Sequence, residues 1–352
     1  MFEEALREQL TDEEYKEIIE KYGNLSNYIK EETFECKKEI TKEQDKIKMI
    51  FFTSLVTGVS VAEFNKIVKK RMTNLEETLE QESNKGYKQV IKRVSGENQQ
   101  KELPITDDIK SGLDKLYKQF EVDKKSTKRA DDKFYRIITN YYKSSKKTYE
   151  KPWVTKDSYV KGLVSKYDKV EKVVRYNRKK KDGTYVYFDI ASYNSMVYNT
   201  NLTNTGIKET IKDASIREWD VAYIDPHMNS CPLCQEFQGH FISLTGGSLG
   251  EIFNGQLITE TLDSVMRQGL FHPHCTHVPR KAYPEDRVSN KWSSPYDVEQ
   301  YETKQKINAL ELKKSRLKND LKIYNYLNEE DEVDNTKQKI RDINAKIRDL
   351  ST

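Results

Sequence analysis

The sequence predicts a mainly α protein carrying one small α+β domain, with long helices, one β-hairpin and a C-terminal helical hairpin. Three observations predict it. Apolar residues recur at helical spacing over most of the 352 residues. The clearest hairpin signal, Asp182-Gly183 ahead of "TYVYF", stands alone in mid-chain. All five histidines and three of the four cysteines fall between His227 and His277. The expected division is a helical region over residues 1–150, an α+β domain over 151–293 and a helical hairpin or short coiled-coil arm over 294–352.

The elements follow in order. "TDEEYKEIIEKYGN" reads as a helix with Thr11 as N-cap, acids in its first turn and a stop at Gly23. The next run, residues 26–56, places Tyr28, Phe34, Ile40, Ile47 and Phe51 at roughly helical spacing. "MIFFTSLVTGVSVA", residues 49–62, is too short to span a bilayer and reads as a buried helix. Ser60-x-x-Glu63 opens a further helix as a capping box. The polar segment "SGENQQKELPITDD" reads as a linker, and residues 107–150 as a Tyr/Lys-rich helix stopped near Pro152. After the hairpin, "ASYNSMVYNTNL" and "NTGIKETIKDASIREW" read as two short helices. "WDVAYID" and "GHFISL" read as strands on either side of the first Cys pair. In the C-terminal region Ile307, Leu310, Leu317, Leu321 and Tyr324 form one stripe, interrupted by Lys314. Ile340, Ile343, Ile347 and Leu350 form a second, with the acidic "NEEDEVDN" expected to turn the chain between them.

The charged fraction, 34%, exceeds the usual quarter, so long solvated helices accompany the core. Net charge is only +4, but residues 110–182 hold 23 Lys/Arg against 10 Asp/Glu, while residues 1–48 hold 14 acids against 9 bases. A basic middle suits nucleic acid or an acidic protein surface, or else is a solvated lysine face. The basic run Arg178–Lys181 fits a loop that keeps an exposed edge from pairing. With no long apolar run and an acidic N-terminus, neither a membrane span nor a signal peptide is expected, and the setting is a reducing cytoplasm.

Cys231 and Cys234 form a C-x-x-C pair; His272 and Cys275 repeat the spacing as H-x-x-C. Each pair can present two donors from one tight loop, and two facing pairs make a closed tetrahedral site of the kind structural Zn²⁺ occupies. Cys231, Cys234, His272 and Cys275 are the preferred ligands. His277 is an alternative to His272, and His274 is a weaker one. A redox dithiol would need no second pair. Cys36 reads as a buried apolar residue. Glu236 and His240 lie close in sequence to the cluster but in no recognised catalytic pattern, and "TGGSLGE" matches no phosphate motif.

These residues resemble the phage minor capsid protein 2 family, within the wider group of Mu-F-like head morphogenesis proteins of tailed bacteriophages. The likeness rests on Asp225, Cys231, Cys234, Gly239, Gly269, His272, Pro273, Cys275 and His277, with "YNSMVYNT" upstream and the charged tail helix downstream. Asn199 stands where an arginine is usual, and lysines stand in the tail where arginines are commoner. The resemblance covers roughly residues 155–350. It implies a structural, non-enzymatic virion component made in the bacterial host cytoplasm and associated with the portal vertex or inner capsid. Portal protein, major capsid protein or scaffold are then expected partners, with packaged double-stranded DNA a further candidate. Some relatives carry toxin or ADP-ribosyltransferase domains after this part; nothing follows the helical hairpin here, so none is expected. Two other functions compete with this one: a zinc-dependent nuclease, for which no histidine-metal arrangement of that kind is present, and a zinc-ribbon DNA-binding protein, which the basic segment supports weakly.

Overall fold

The computed structural model describes residues 25–95, 107–172, 174–179, 183–226, 230–273, 275–286, 288 and 295–351. The expected helix after Thr11, most of the 95–108 linker, His227 and His274 lie outside the described residues. Helix accounts for 71% of the chain, in nine helices among the described residues with a few short strands, so the fold is mainly α as the sequence predicts. The chain forms two compact units, each built from three segments. One comprises Met1–Lys37, Leu79–Ser126 and Asn194–Val298; the other comprises Lys38–Thr78, Thr127–Tyr193 and Glu299–Thr352.

The second unit takes the later part of α1 (Leu25–Val56), the earlier part of α2 (Val61–Ser95) and the later part of α3 (Asp107–Tyr149). It also holds α4 (Lys156–Glu171), the antiparallel hairpin β1 (Val174–Lys179) and β2 (Tyr185–Phe188), and the start of α5 (Ile190–Arg217). The run 49–62, expected to be one buried helix, breaks instead. α1 ends at Val56, Gly58 takes φ +77, and Ser60 caps α2 by accepting the Glu63 N–H at 3.2 Å. Glycine supplies that left-handed position without steric cost. Aromatic rings fill the space beside the turn: Phe64 stacks on Tyr142 at 3.7 Å between centroids, and Phe51 meets Phe52, Tyr142 and Tyr167 edge-on. The Tyr142 hydroxyl donates to the Val59 carbonyl at 2.8 Å, which ties α3 to the turn. Of the α1 residues picked out by spacing, Tyr28, Ile40, Ile47 and Phe51 are buried, but Phe34 is 52% exposed. Its six-residue step from Tyr28 carries it round the helix, and Cys36 takes the inward position.

The same unit holds α8 (Pro295–Tyr326) from Glu299 onward and α9 (Glu330–Ser351). The turn is tighter than the acidic segment suggested. Asn328 takes φ +56, its N–H bonds the Asn325 carbonyl, and the Glu329 N–H bonds the Tyr324 carbonyl. This is a Schellman cap closed by asparagine. The acids Glu330, Asp331 and Glu332 form the first turn of α9, where the helix dipole favours them. Lys314 interrupts the stripe, and its ammonium pairs with Glu311 at 2.8 Å.

In the first unit three short strands form an antiparallel sheet in the order β4 (Phe241–Ser243), β3 (Val221–Ile224), β7 (Pro279–Lys281). The strands expected at "WDVAYID" and "GHFISL" are β3 and β4. Helix α5, expected as two short helices, is continuous. Its apparent breaker, Gly206, is a packing site: a Cβ there would lie 2.9 Å from both Val278 methyls. One face of the sheet packs with Ile207, Ile211, Leu262, Val265, Leu270 and Phe271. A second hairpin, β5 (Ile252–Phe253) and β6 (Gln256–Leu257), turns on Asn254-Gly255, both at positive φ.

Candidate metal centre

Two turns of the same build meet at one end of the sheet. β3 leads to the first through Ile224, and β7 leaves the second through Pro279; the two residues are paired across the sheet. In the first turn Cys231 is the extended N-cap of α6 (Pro232–Gln235), and the Cys234 N–H donates to the Cys231 carbonyl at 3.0 Å. In the second, α7 (Leu262–Gln268) ends at Gly269 with φ +110, and the Cys275 N–H donates to the His272 carbonyl at 2.8 Å. An i to i+3 turn brings its first and fourth side chains to one side, so the repeated three-residue offset has a common geometric cause.

The structure brings the predicted donors together. Cys231 Sγ lies 2.9 Å and Cys234 Sγ 3.4 Å from His272 Nε2. Cys234 Sγ lies 3.6 Å from Cys275 Sγ, which lies 3.5 Å from His277 Nδ1. Donors at zinc bond lengths on a tetrahedron would be roughly 3.5–3.8 Å apart. Two triads arise, Cys231–Cys234–His272 and Cys234–Cys275–His277, each with its donor atoms within 4.8 Å of one another. Cys234 belongs to both.

The imidazoles are oriented from behind. His272 Nδ1 lies 2.6 Å from the Pro273 carbonyl and donates to it, which turns Nε2 toward the sulfurs. His277 Nε2 lies 3.1 Å from Gln238 Oε1, which turns its Nδ1 toward Cys275. The Cys275 carbonyl accepts from Asn199 Nδ2 at 3.0 Å and Thr203 Oγ1 at 2.7 Å, and the Pro279 carbonyl from Thr210 Oγ1 at 2.8 Å. Three polar residues of α5 therefore clamp the second turn. A hydrogen bond from the Cys234 thiol, with His272 adding, holds Cys231 down at about 4. The bond to Cys231 raises His272 to about 9. Burial opposes ionisation of Cys275, but bonds from Cys234 and His277 outweigh it and hold this thiol well below its usual value. Cys231 and Cys275 are thus held toward thiolate, while the bonds to Cys231 and Cys275, with burial, push the shared Cys234 thiol well above its usual value.

Other singled-out residues do different work. Asp225 pairs with Arg280 at 2.8 Å, and Arg280 with Asp286 at 2.6 Å; burial raises the Asp225 carboxyl against the pull of Arg280. Glu236 is exposed, and His240 bonds the Gln238 carbonyl; neither joins a donor group among the described residues. The amides of "TGGSLG" are spent on the chain itself: Asp220 accepts from the Thr245 and Ser248 N–H groups and from the Ser243 and Thr245 hydroxyls. Cys36 is buried, as expected. Gln238 and the α5 clamp were not visible in sequence, because neither shares the spacing of the donors it supports.

A family model described as Phage minor capsid protein 2 matches residues 43–351. No curated protein and no solved structure matches the chain.

Proposed function

The chain belongs to the phage minor capsid protein 2 family, and from that premise we propose a non-enzymatic head component whose two turns close on a structural zinc ion. As a member of that family it is a structural phage head protein, located in the virion and in contact with other virion components. No described helix is long and apolar enough to cross a membrane. The family match over residues 43–351 carries the reading. It is tested by mass spectrometry of purified heads, which must contain the chain.

The finer steps are these. Cys231, Cys234, His272 and Cys275 hold the zinc, which would join the two turns and fix the end of the sheet, because structural zinc binding is folding energy. A donor set of three cysteines and oriented imidazoles is what supports this. The Cys234–Cys275–His277 triad favours a second reading, in which His277 replaces His272. Zinc content of His272→Ala and His277→Ala separates the two, since the true ligand's variant loses stoichiometric metal. The C-terminal hairpin docks the protein on portal or capsid shell. Its support is that Ile307, Leu310, Leu317 and Leu321 are only half-buried and leave apolar surface for a partner. Crosslinks from residues 294–352 to portal or shell protein in intact heads test the docking; crosslinks from other regions alone refute it. The basic middle, residues 110–182, meets packaged duplex DNA.

A further inference from the structure

The solvated side of α3 is not evenly charged. Between Thr127 and Tyr149 the helix buries Thr127, Ala130, Asp131, Phe134, Ile138, Tyr142 and Ser145. At about 100° per residue the exposed Arg129, Lys133, Arg136, Lys143 and Lys147 fall within an arc of about 80° on the opposite side. The exposed acids of this stretch are Asp132 and Glu150, which sit at the edge of that arc, and Glu150 is taken up by Lys146 at 2.7 Å. None of Arg129, Lys133, Arg136, Lys143 and Lys147 forms an ion pair with a described residue. Elsewhere in the same unit, exposed lysines carry acids one turn away, as Lys42 does with Glu39 and Lys337 with Asp334. The stripe therefore lacks the paired acids that mark an ordinary solvated face.

Its far end is also unusual. Past Tyr149 the chain turns, and Trp153 stands 77% exposed with Lys151 Nζ 5.5 Å from its ring centre. Lys156 lies 5.1 Å from the Tyr149 ring. A bare tryptophan flanked by cations closes a line of five bases about 27 Å long, at 1.5 Å per residue.

We propose that this stripe, ending at Trp153, is a track for the sugar–phosphate backbone of duplex DNA. About 27 Å of duplex axis carries roughly 16 phosphates over the two strands, and a line of cations laid along that axis meets those of both strands that turn toward it. An extended unpaired line of one sign matches a polyanion of uniform charge. An acidic protein surface would present its carboxylates in patches, mixed with bases. The inference rests on the reading that this head protein meets packaged DNA, and it assigns that contact to one helix face.

The test uses the full chain and a random-sequence duplex, with affinity measured against salt. The triple variant Arg129→Glu/Arg136→Glu/Lys147→Glu should bind at least about tenfold more weakly. Its log–log salt slope should be shallower by about 2.7, at roughly 0.9 for each phosphate that is no longer neutralised. The control Lys337→Glu/Lys339→Glu/Lys346→Glu, on exposed positions of α9, makes the same change in net charge and should leave the slope alone. Wild-type Trp153 fluorescence, assigned by loss of the signal in Trp153→Phe, should change on binding and recover as salt releases the duplex. Equal slopes for the two triple variants overturn the assignment to α3. So does competition by poly-glutamate as strong as by duplex, which would point to an acidic protein. Wild-type protein that ignores duplex at low salt overturns it too, while its presence in purified heads would leave the head-protein reading standing. Absence from heads would remove that reading whatever the DNA result.

Discussion

Lys48→Met should remove the ammonium that ties three helices of the second unit together. Its side chain is 3% exposed, and Nζ lies 2.8 Å from Asp320 on α8 and 3.1 Å from Asp168 on α4. Asp45, one turn back on α1, accepts from Asn319 at 3.0 Å, so α1 and α8 share two adjacent polar contacts. At an effective dielectric of about 20, each ion pair is worth about 5–6 kcal/mol gross, and most of that offsets desolvation. Breaking a buried pair by removing one partner costs about 3–5 kcal/mol, because the other charge stays behind unpaired. Asp168 is 34% exposed and can recruit water, whereas Asp320 at 18% is less able to. The low end, about 3 kcal/mol, is therefore expected at pH 7 in urea denaturation followed by circular dichroism. Burial, the larger influence, raises Asp320 despite Lys48, so acidification neutralises it readily once Lys48 is gone and the penalty should shrink toward pH 5. Lys48→Met/Asp320→Asn should recover most of the loss. A penalty under about 1 kcal/mol at pH 7, or a double variant no more stable than the single one, would refute the reasoning.

Other expectations follow from the same packing. Burial lifts Glu171 from 4.5 to about 8 and Asp45 from 3.8 to about 6. The folded state thus keeps protons the unfolded chain releases, and stability is highest below about pH 4 to 5 on this account and falls as pH rises to about 8. Glu171→Gln should flatten that fall between pH 5 and 8.5, and parallel urea-midpoint curves for the two proteins would count against it. Gly206→Ala should cost about 1–3 kcal/mol from overpacking on Val278, more than the roughly 1 kcal/mol of helix propensity it gains. Val278→Ala in the same chain should restore stability, and no rescue would show that the close approach is not the cause. Cys234→Ser, the donor common to both triads, should abolish stoichiometric zinc and lower the protection of β3, β4 and β7 in hydrogen exchange, whereas Cys36→Ser should keep full metal content; zinc retained by Cys234→Ser would refute the shared-donor geometry.

How much of this could be read from the sequence depended on whether the signal was local. The two turns could be read because donor spacing and turn geometry are one fact seen twice. Strands β3 and β4 could be read from their apolar runs. Strand β7 could not: it begins with Pro279 and continues with Arg280 and Lys281, and it exists because β3 offers it a partner edge. Residues 190–217 looked like two helices because Asn204, Thr205 and Gly206 weaken helix locally. Burial of Asn204 and the close fit of Gly206 on Val278 overrode propensity. The cap at Asn328 was hidden for a different reason. The acidic run drew attention to itself as a turn, while the residue that reverses the chain is the single asparagine at its start.

The α5 clamp also accounts for a departure from the resembled family pattern. Asn199 stands where an arginine is usual, and it is buried with both ends of its amide engaged. Nδ2 donates to the Cys275 carbonyl, and Oδ1 lies 2.9 Å from the Thr33 hydroxyl of α1. A guanidinium has only donors. It could reach a carbonyl of the second turn but could not accept from the Thr33 hydroxyl as the amide oxygen does; that hydroxyl also lies 2.7 Å from the Ile29 carbonyl. The amide is therefore the smaller group that donates to one partner and accepts from the other in a buried site. Thr203 shares the load on the same carbonyl, so the second turn is held by α5 through hydrogen bonds that need no metal. The first turn, by contrast, reaches the second mainly through its thiols and His272. On this geometry, a metal held by the cluster would join the first turn to a second that hydrogen bonds already hold in place.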